Sequence, residues 1–259
     1  MTTLAPAAAE PRTIDEVLLR LNGILDDALR QGTRIGYFAA LYERVTTNVR
    51  RALVAGNVFQ DNARMERLDV IFANRFIHAW DAHTSGGRLS RSWQAAFAVL
   101  DDPGPLVVQH LLLGMNAHIN LDLGIAAATV AHTPAELQAL WPDFKTINAV
   151  LSRLVQVVED ELGQISPRLH RIEEIAPSLE DRVFDFGIDV ARDFAWALAT
   201  ELAHTSLAGW EMPIAERDTL VAEAAGALYP LHGIPGRVQG WIHAAESADI
   251  RHNIQVVAE

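Results

Sequence analysis

Residues 104–131 read GPLVVQHLLLGMNAHINLDLGIAAATVA, and this stretch decides the fold. Its length suits a helix of about seven turns. It is apolar nearly all round, so such a helix has to be buried among other helices. Yet it carries Gln109, His110, Asn116, His118, Asn120 and Asp122. A polar group moved into a core costs about 1–3 kcal/mol when it finds no partner. Six on one buried helix call for a hydrogen-bonded network, a metal or a ligand.

Helix signals flank this rod on both sides. Thr13-Ile14-Asp15-Glu16 reads as a capping box that opens a first helix, and Gly32 ends it. A second runs from about Arg34 to Leu53 and closes at Gly56. Asp61 can cap a third that reaches about His83, with Met65, Leu68/Asp69, Phe72, Phe76 and Trp80 on its inward stripe. Asp69 is thereby in register with large apolar groups. A short helix is predicted from Ser90 to Leu100. Thr133-Pro134-Ala135-Glu136 opens another, which Trp141-Pro142 should break before the chain resumes towards Leu162. Ser178-Leu179-Glu180-Asp181 opens a long helix to about Leu207, and weaker ones follow at 214–228 and 235–247. No strand alternation and no repeat is found. The expected fold is all-α: a single multi-helix bundle over 13–259 around the buried rod, after a flexible tail over 1–12.

Composition narrows the function. At 259 residues with 50% apolar and 21% charged residues, the chain is globular and can bury a large core. It has no cysteine, which excludes disulfides, thiolate metal sites and a cysteine nucleophile. A formal net charge of −12 argues against nucleic acid or an anionic membrane as partner. The first residues lack the charged and apolar blocks of a signal peptide, and the rod is interrupted by Asn, His and Asp. The expected location is cytoplasmic, and the expected partner is a small-molecule substrate or ligand; the oligomeric state is open.

His118 and Asp122 stand four apart, so on a helix their side chains share a face. Two readings compete. In one they ligate a single divalent ion (zinc, manganese or iron), joined by Asp69 or Asp143. In the other they form a buried His–Asp hydrogen bond. Asn116 and Asn120 form a second such pair, roughly opposite the first, because a two-residue step turns a helix by about 200°. They can meet one site with His118 only if the helix bends; otherwise they serve as structural hydrogen bonds. Asp69 has a bland role as partner to Arg64, Arg67 or Arg75, and Asp143 as a helix cap. Arg192, on a stripe with Trp196, would answer Asp69, Asp122 or Asp143, and that pairing would neutralise the cluster without a metal. Gly-rich phosphate loops, Gly-x-Ser-x-Gly elbows, His-Glu-x-x-His and paired Glu-x-x-His motifs are all absent.

Gly114-Met-Asn-Ala-His118-Ile-Asn-Leu-Asp122-Leu resembles the signature of an uncharacterised bacterial family, a domain of unknown function. Tyr42 with Val45-Thr46, Met65…Leu68-Asp69…Phe72-Ala73, Asp143-Phe144…Ile147-Asn148 and Arg192…Ala195-Trp196 resemble it too. The likeness spans roughly residues 30–205. It implies that these residues form one site, and it supplies no reaction. A weaker likeness is to zinc-dependent phospholipase C-like helical proteins, which place zinc ligands in a His-x-x-x-Asp on a buried helix. Their Pro-Leu-His after the Asp and their N-terminal Trp ligand are missing here.

The expectation is therefore a helical enzyme, a metal-dependent hydrolase or lyase acting on an apolar small molecule. His118, Asp122, Asn116, Asn120 and Arg192 would be its catalytic group. Phe72, Phe76, Tyr42 and Trp196, with Trp80 and Met115 nearby, would contact the substrate. Without a metal, Asp122 would fix the His118 tautomer and His118 would move the proton. The alternative is a non-enzymatic binding or interaction module whose polar cluster is structural.

Overall fold

The computed structural model describes residues 9–169 and 188–259, and among these there is no strand. The chain is an all-α domain. The first helices are α1 (Ile14–Gln31), α2 (Ile35–Ala55) and α3 (Asn62–Ser85). Thr13 and Asp61 cap α1 and α3 by accepting from Glu16 N and Arg64 N. Gly32, Gly56 and Gly86 stop the three helices in the left-handed conformation that glycine adopts without a Cβ clash. After short α4 (Arg91–Phe97) comes the rod: α5 (Val107–Ala117), a π-helical turn (His118–Leu123) and α6 (Gly124–Val130). The C-terminal part holds α7 (Pro134–Ile165), α8 (Ile188–Ala203), α9 (Glu211–Leu228), α10 (Gly233–His243) and α11 (Ile250–Ala258).

The rod joins two apolar clusters. Leu106–Ala117 belong to one, with α1, α2 and α11; Leu121–Ala131 belong to the other, with α8 and the starts of α3 and α7. The π turn lies at the junction. By length and composition Val107–Val130 could cross a membrane, but 83% of its most apolar window is buried inside the fold. Two glycines let neighbours close on it. A Cβ at Gly114 would lie 2.5 Å from Phe38 Cδ2, and one at Gly124 would lie 2.6 Å from the Ala195 carbonyl oxygen.

Three expectations need correction. The rod is not a uniform α-helix, because residues 118–123 widen to π geometry. Trp141-Pro142 does not break α7. A proline inside a helix forgoes one backbone bond and crowds the preceding turn, at a cost of about 3 kcal/mol. Packing offsets this: Trp141 and Phe144 lie against Trp196, with ring centroids 4.6 and 4.7 Å away, and the Thr146 hydroxyl donates to Pro142 O. Finally, α11 follows the segment where the helix count was expected to end. Asp249 caps it by accepting from Arg251 N and His252 N, and Ile254 fills the space that Gly36 leaves on α2. The predicted start at Ser178 lies outside the described residues.

Candidate functional site: a buried histidine–aspartate pair on the π turn

His118 and Asp122 lie on the π turn and are both fully inside the protein. Nδ1 of His118 is 3.2 Å from Oδ2 of Asp122. The same oxygen accepts from Trp93 Nε1 at 2.9 Å, and Oδ1 accepts from Arg75 Nε at 2.6 Å. Both carboxylate oxygens are therefore occupied, by α3, α4 and the imidazole. Burial pushes the Asp122 carboxyl up, but the Arg75 charge and the hydrogen bonds from His118 and Trp93 outweigh it, and it lies below its usual value. An ionised carboxylate beside Nδ1 selects the Nδ1–H tautomer. Nε2 then carries the lone pair, and it has no partner within the protein. Burial holds His118 below the usual imidazole value, and Arg75 adds to this; Asp122 offsets part of it.

Aromatic rings enclose the imidazole. Phe72 stacks on it at 3.7 Å and 6°, and Tyr42 meets it edge-on at 4.6 Å. Phe38 and Trp93 lie at 5.9 Å and Phe76 at 6.3 Å. Three sequence candidates, Tyr42, Phe72 and Phe76, are thus gathered round His118. Trp196 is not among these rings; it packs at a tilt against Trp141 and Phe144 in the second cluster.

Other buried polar atoms lie close by. Tyr42 Oη, Thr46 Oγ1 and Asp69 Oδ2 have no partner within the protein. Thr46 is one turn beyond Tyr42 on α2, and Asp69 one turn before Phe72 on α3. Burial, reinforced by Glu66, pushes the Asp69 carboxyl up to about 7. Burial, with Asp69 and Asp122 nearby, raises Tyr42 well above the phenol range.

The remaining candidates are placed elsewhere. Asn116 donates to Val221 O at 2.8 Å and accepts from Asn120 Nδ2 at 2.9 Å, which ties the rod to α9. Asp143 accepts from Gln60 N, Asp61 N and Arg64 Nη2, so it anchors the start of α3. Arg192 donates to Phe144 O and lies over the Phe144 ring at 4.2 Å. The expected pairing of Arg192 with Asp122 or Asp143 is replaced by guanidinium groups from α3: Arg75 for Asp122 and Arg64 for Asp143. Those arginines, offered at first to Asp69, are thereby engaged.

Of the acids expected to join His118 and Asp122 round an ion, Asp143 is placed elsewhere. Asp122 and Asp143 are held about three turns apart along α3, through Arg75 and Arg64. Their oxygens already accept hydrogen bonds, and Nδ1 of His118 is committed to Asp122. Among the described residues no group of three or more His, Asp or Glu side chains is arranged to hold a metal ion.

Sequence reasoning missed Trp93 and did not assign Arg75 to Asp122. The signal for a cation was the carboxylate itself, since a buried Asp has to be paired. Nothing in the spacing of α4 marked its indole.

A family model described as a family of unknown function (DUF5995) matches residues 14–230, and the chain belongs to that family. No curated protein and no solved structure matches it.

Proposed function

We propose that this DUF5995 member is an enzyme of general acid–base type acting on a small, largely apolar molecule, with His118 as the base. Asp122 holds the imidazole in one tautomer. Arg75 and Trp93 hold Asp122, and so act as positioning residues. Nε2 takes a proton from the substrate or from a water that attacks it. Two features support this over a purely structural network. A buried imidazole with one nitrogen fixed and the other unused is a costly arrangement for stability alone. The π turn that carries it is a geometry often kept for function. The aromatic enclosure suits an apolar substrate. A hydrolase or lyase reaction fits this base; the charge of −12 and the absence of a thiol fit a small-molecule reaction in a cytoplasmic setting.

The single observation that carries the reading is the free Nε2 of His118 opposite an Nδ1 held by Asp122. The test uses 5-nitrobenzisoxazole, an apolar probe that ring-opens when a buried base removes its proton. Wild-type protein should open it with saturation. His118→Phe, which fills the same aromatic slot without a nitrogen, should not. Equal rates for two folded proteins would leave only the structural network, which the Asn116–Val221 bond already represents on the opposite side of the rod.

A further inference from the structure

Resting on the His118 reading, we propose that Tyr42 and Asp69 form the oxygen-binding side of the same site, which takes a neutral ketone or related enolisable carbonyl compound. Tyr42, Asp69 and His118 are 4%, 6% and 2% exposed. Each has a polar side-chain atom with no partner within the protein. Buried polar atoms of this kind are nearly always hydrogen-bonded in the working molecule, so three around one aromatic enclosure point to a shared ligand. Tyr42 lies edge-on to the imidazole, and Asp69 precedes the Phe72 ring that stacks on it by one turn of α3. Thr46, one turn beyond Tyr42 on α2, also has a buried hydroxyl with no partner within the protein.

The chemistry of these groups selects the ligand. The phenol and a neutral carboxyl are hydrogen-bond donors, and burial keeps both in those forms up to about pH 7. Nε2 is an acceptor and base. The Arg75 guanidinium, which could have met an anion, is engaged by Asp122. A phosphate or carboxylate would add charge beside Asp122 with no cation to answer it. A carbonyl oxygen suits two donors, and the acidic proton on its α carbon suits a base.

The step balances. Nε2 takes the α proton. The C–H electron pair becomes the C=C bond, and the C=O pair moves to oxygen. The oxygen accepts from Tyr42 and takes the Asp69 proton, which leaves a bound enol, an imidazolium and a carboxylate. Reversal returns both protons, to the same carbon or to a conjugated one.

The probe is 2-acetylnaphthalene, read by quenching of Trp93 emission, since that indole lies beside His118. Wild type should bind it saturably, and at least about tenfold more tightly than it binds 2-naphthoate. In D2O the probe's methyl protons should exchange faster with wild type than with His118→Phe. Tyr42→Phe and Asp69→Leu, each of which removes a donor, should each weaken binding about tenfold at pH 6. Binding unchanged in both variants, preference for the carboxylate, or no saturable binding of the ketone overturns the proposal. If it fails in any of these ways while 5-nitrobenzisoxazole opening still depends on His118, only the carbonyl assignment falls. If that dependence is lost as well, the acid–base reading falls with it.

Discussion

The imidazole of His118 lies flat on the ring of Phe72, with centroids 3.7 Å apart and planes 6° from parallel. Stacking fixes one face of the imidazole, and Asp122 fixes one edge. The remaining freedom is small, so Nε2 is held in a single direction. A base preorganised in this way needs little rearrangement before proton transfer.

Phe72→Leu tests the stack. Leucine keeps most of the apolar bulk and removes the parallel ring. The expected loss is about 1 kcal/mol of stability, the usual worth of such a ring pair beyond its buried area. Opening of 5-nitrobenzisoxazole should slow more than this small loss explains. Urea unfolding and initial rates on the same preparation give both numbers.

Asp122→Asn tests the positioning. An amide cannot accept from Arg75, Trp93 and His118 together, and Arg75 is left without its carboxylate. Breaking a buried pair costs about 3–5 kcal/mol; Arg75 is one-third exposed, so the lower end is expected. The amide can also donate to Nδ1 and favour the opposite tautomer. Ring opening should then fall by at least about 100-fold, with a changed pH profile. A stability loss with an unchanged rate and profile would assign Asp122 to structure alone.

Asn116→Ala separates the opposite side of the rod. It frees Val221 O and unpairs Asn120, at about 1–2 kcal/mol. The rate per folded molecule should change less than about twofold.

Two opposed titrations set the pH dependence. The folded value of Asp69 is raised to about 7, so its contribution is complete below the unfolded value of about 4 and is lost as pH climbs to about 7. His110 and His118 are lowered, His110 to about 4, so their contributions are present above about 6.5 and are lost as pH falls. Between pH 4 and 6.5 these trends oppose each other. Asp69→Asn removes the first, so its stability should rise with pH across that window more steeply than in wild type. The variant should gain most over wild type above pH 7. The charged and titratable groups that act with Asp69 are Glu66 on its own helix and Tyr42 on α2, which also feels Asp122 of the π turn. Denaturant midpoints at pH 4, 6 and 8 check the crossing.

Close approach predicts unequal glycine effects. Gly114→Ala would press on the Phe38 ring, which can shift, at about 1–3 kcal/mol. Gly124→Ala would strike the Ala195 carbonyl, part of a helix backbone, and should cost more. Thermal melting of the two variants ranks them.

The sequence made the all-α class and the central rod legible because apolar spacing, Thr13 and Asp61 caps and stop glycines all agreed. It also placed His118 beside Asp122, since i,i+4 pairing depends only on helical geometry. The π turn was not legible. A rod apolar all round has no stripe whose slip would reveal a widened turn. Pro142 misled because local backbone cost was weighed without the Trp141–Trp196 packing. Asp143 reads in the sequence as a metal ligand or as a cap for the helix after Trp141-Pro142, whereas its place is set by Gln60, Asp61 and Arg64 from a distant part of the chain. The indole of Trp93 comes from a separate short helix, and no local pattern aims it at Asp122.

The most direct test of the central claim is the 15N spectrum of His118, assigned by its loss in His118→Phe and followed from pH 5 to 8. The expected result at pH 7 is a neutral ring with a protonated Nδ1 and a bare, pyridine-type Nε2, whose signal moves when 2-acetylnaphthalene is added. A ring protonated at Nε2, or an imidazolium at pH 7, would contradict it.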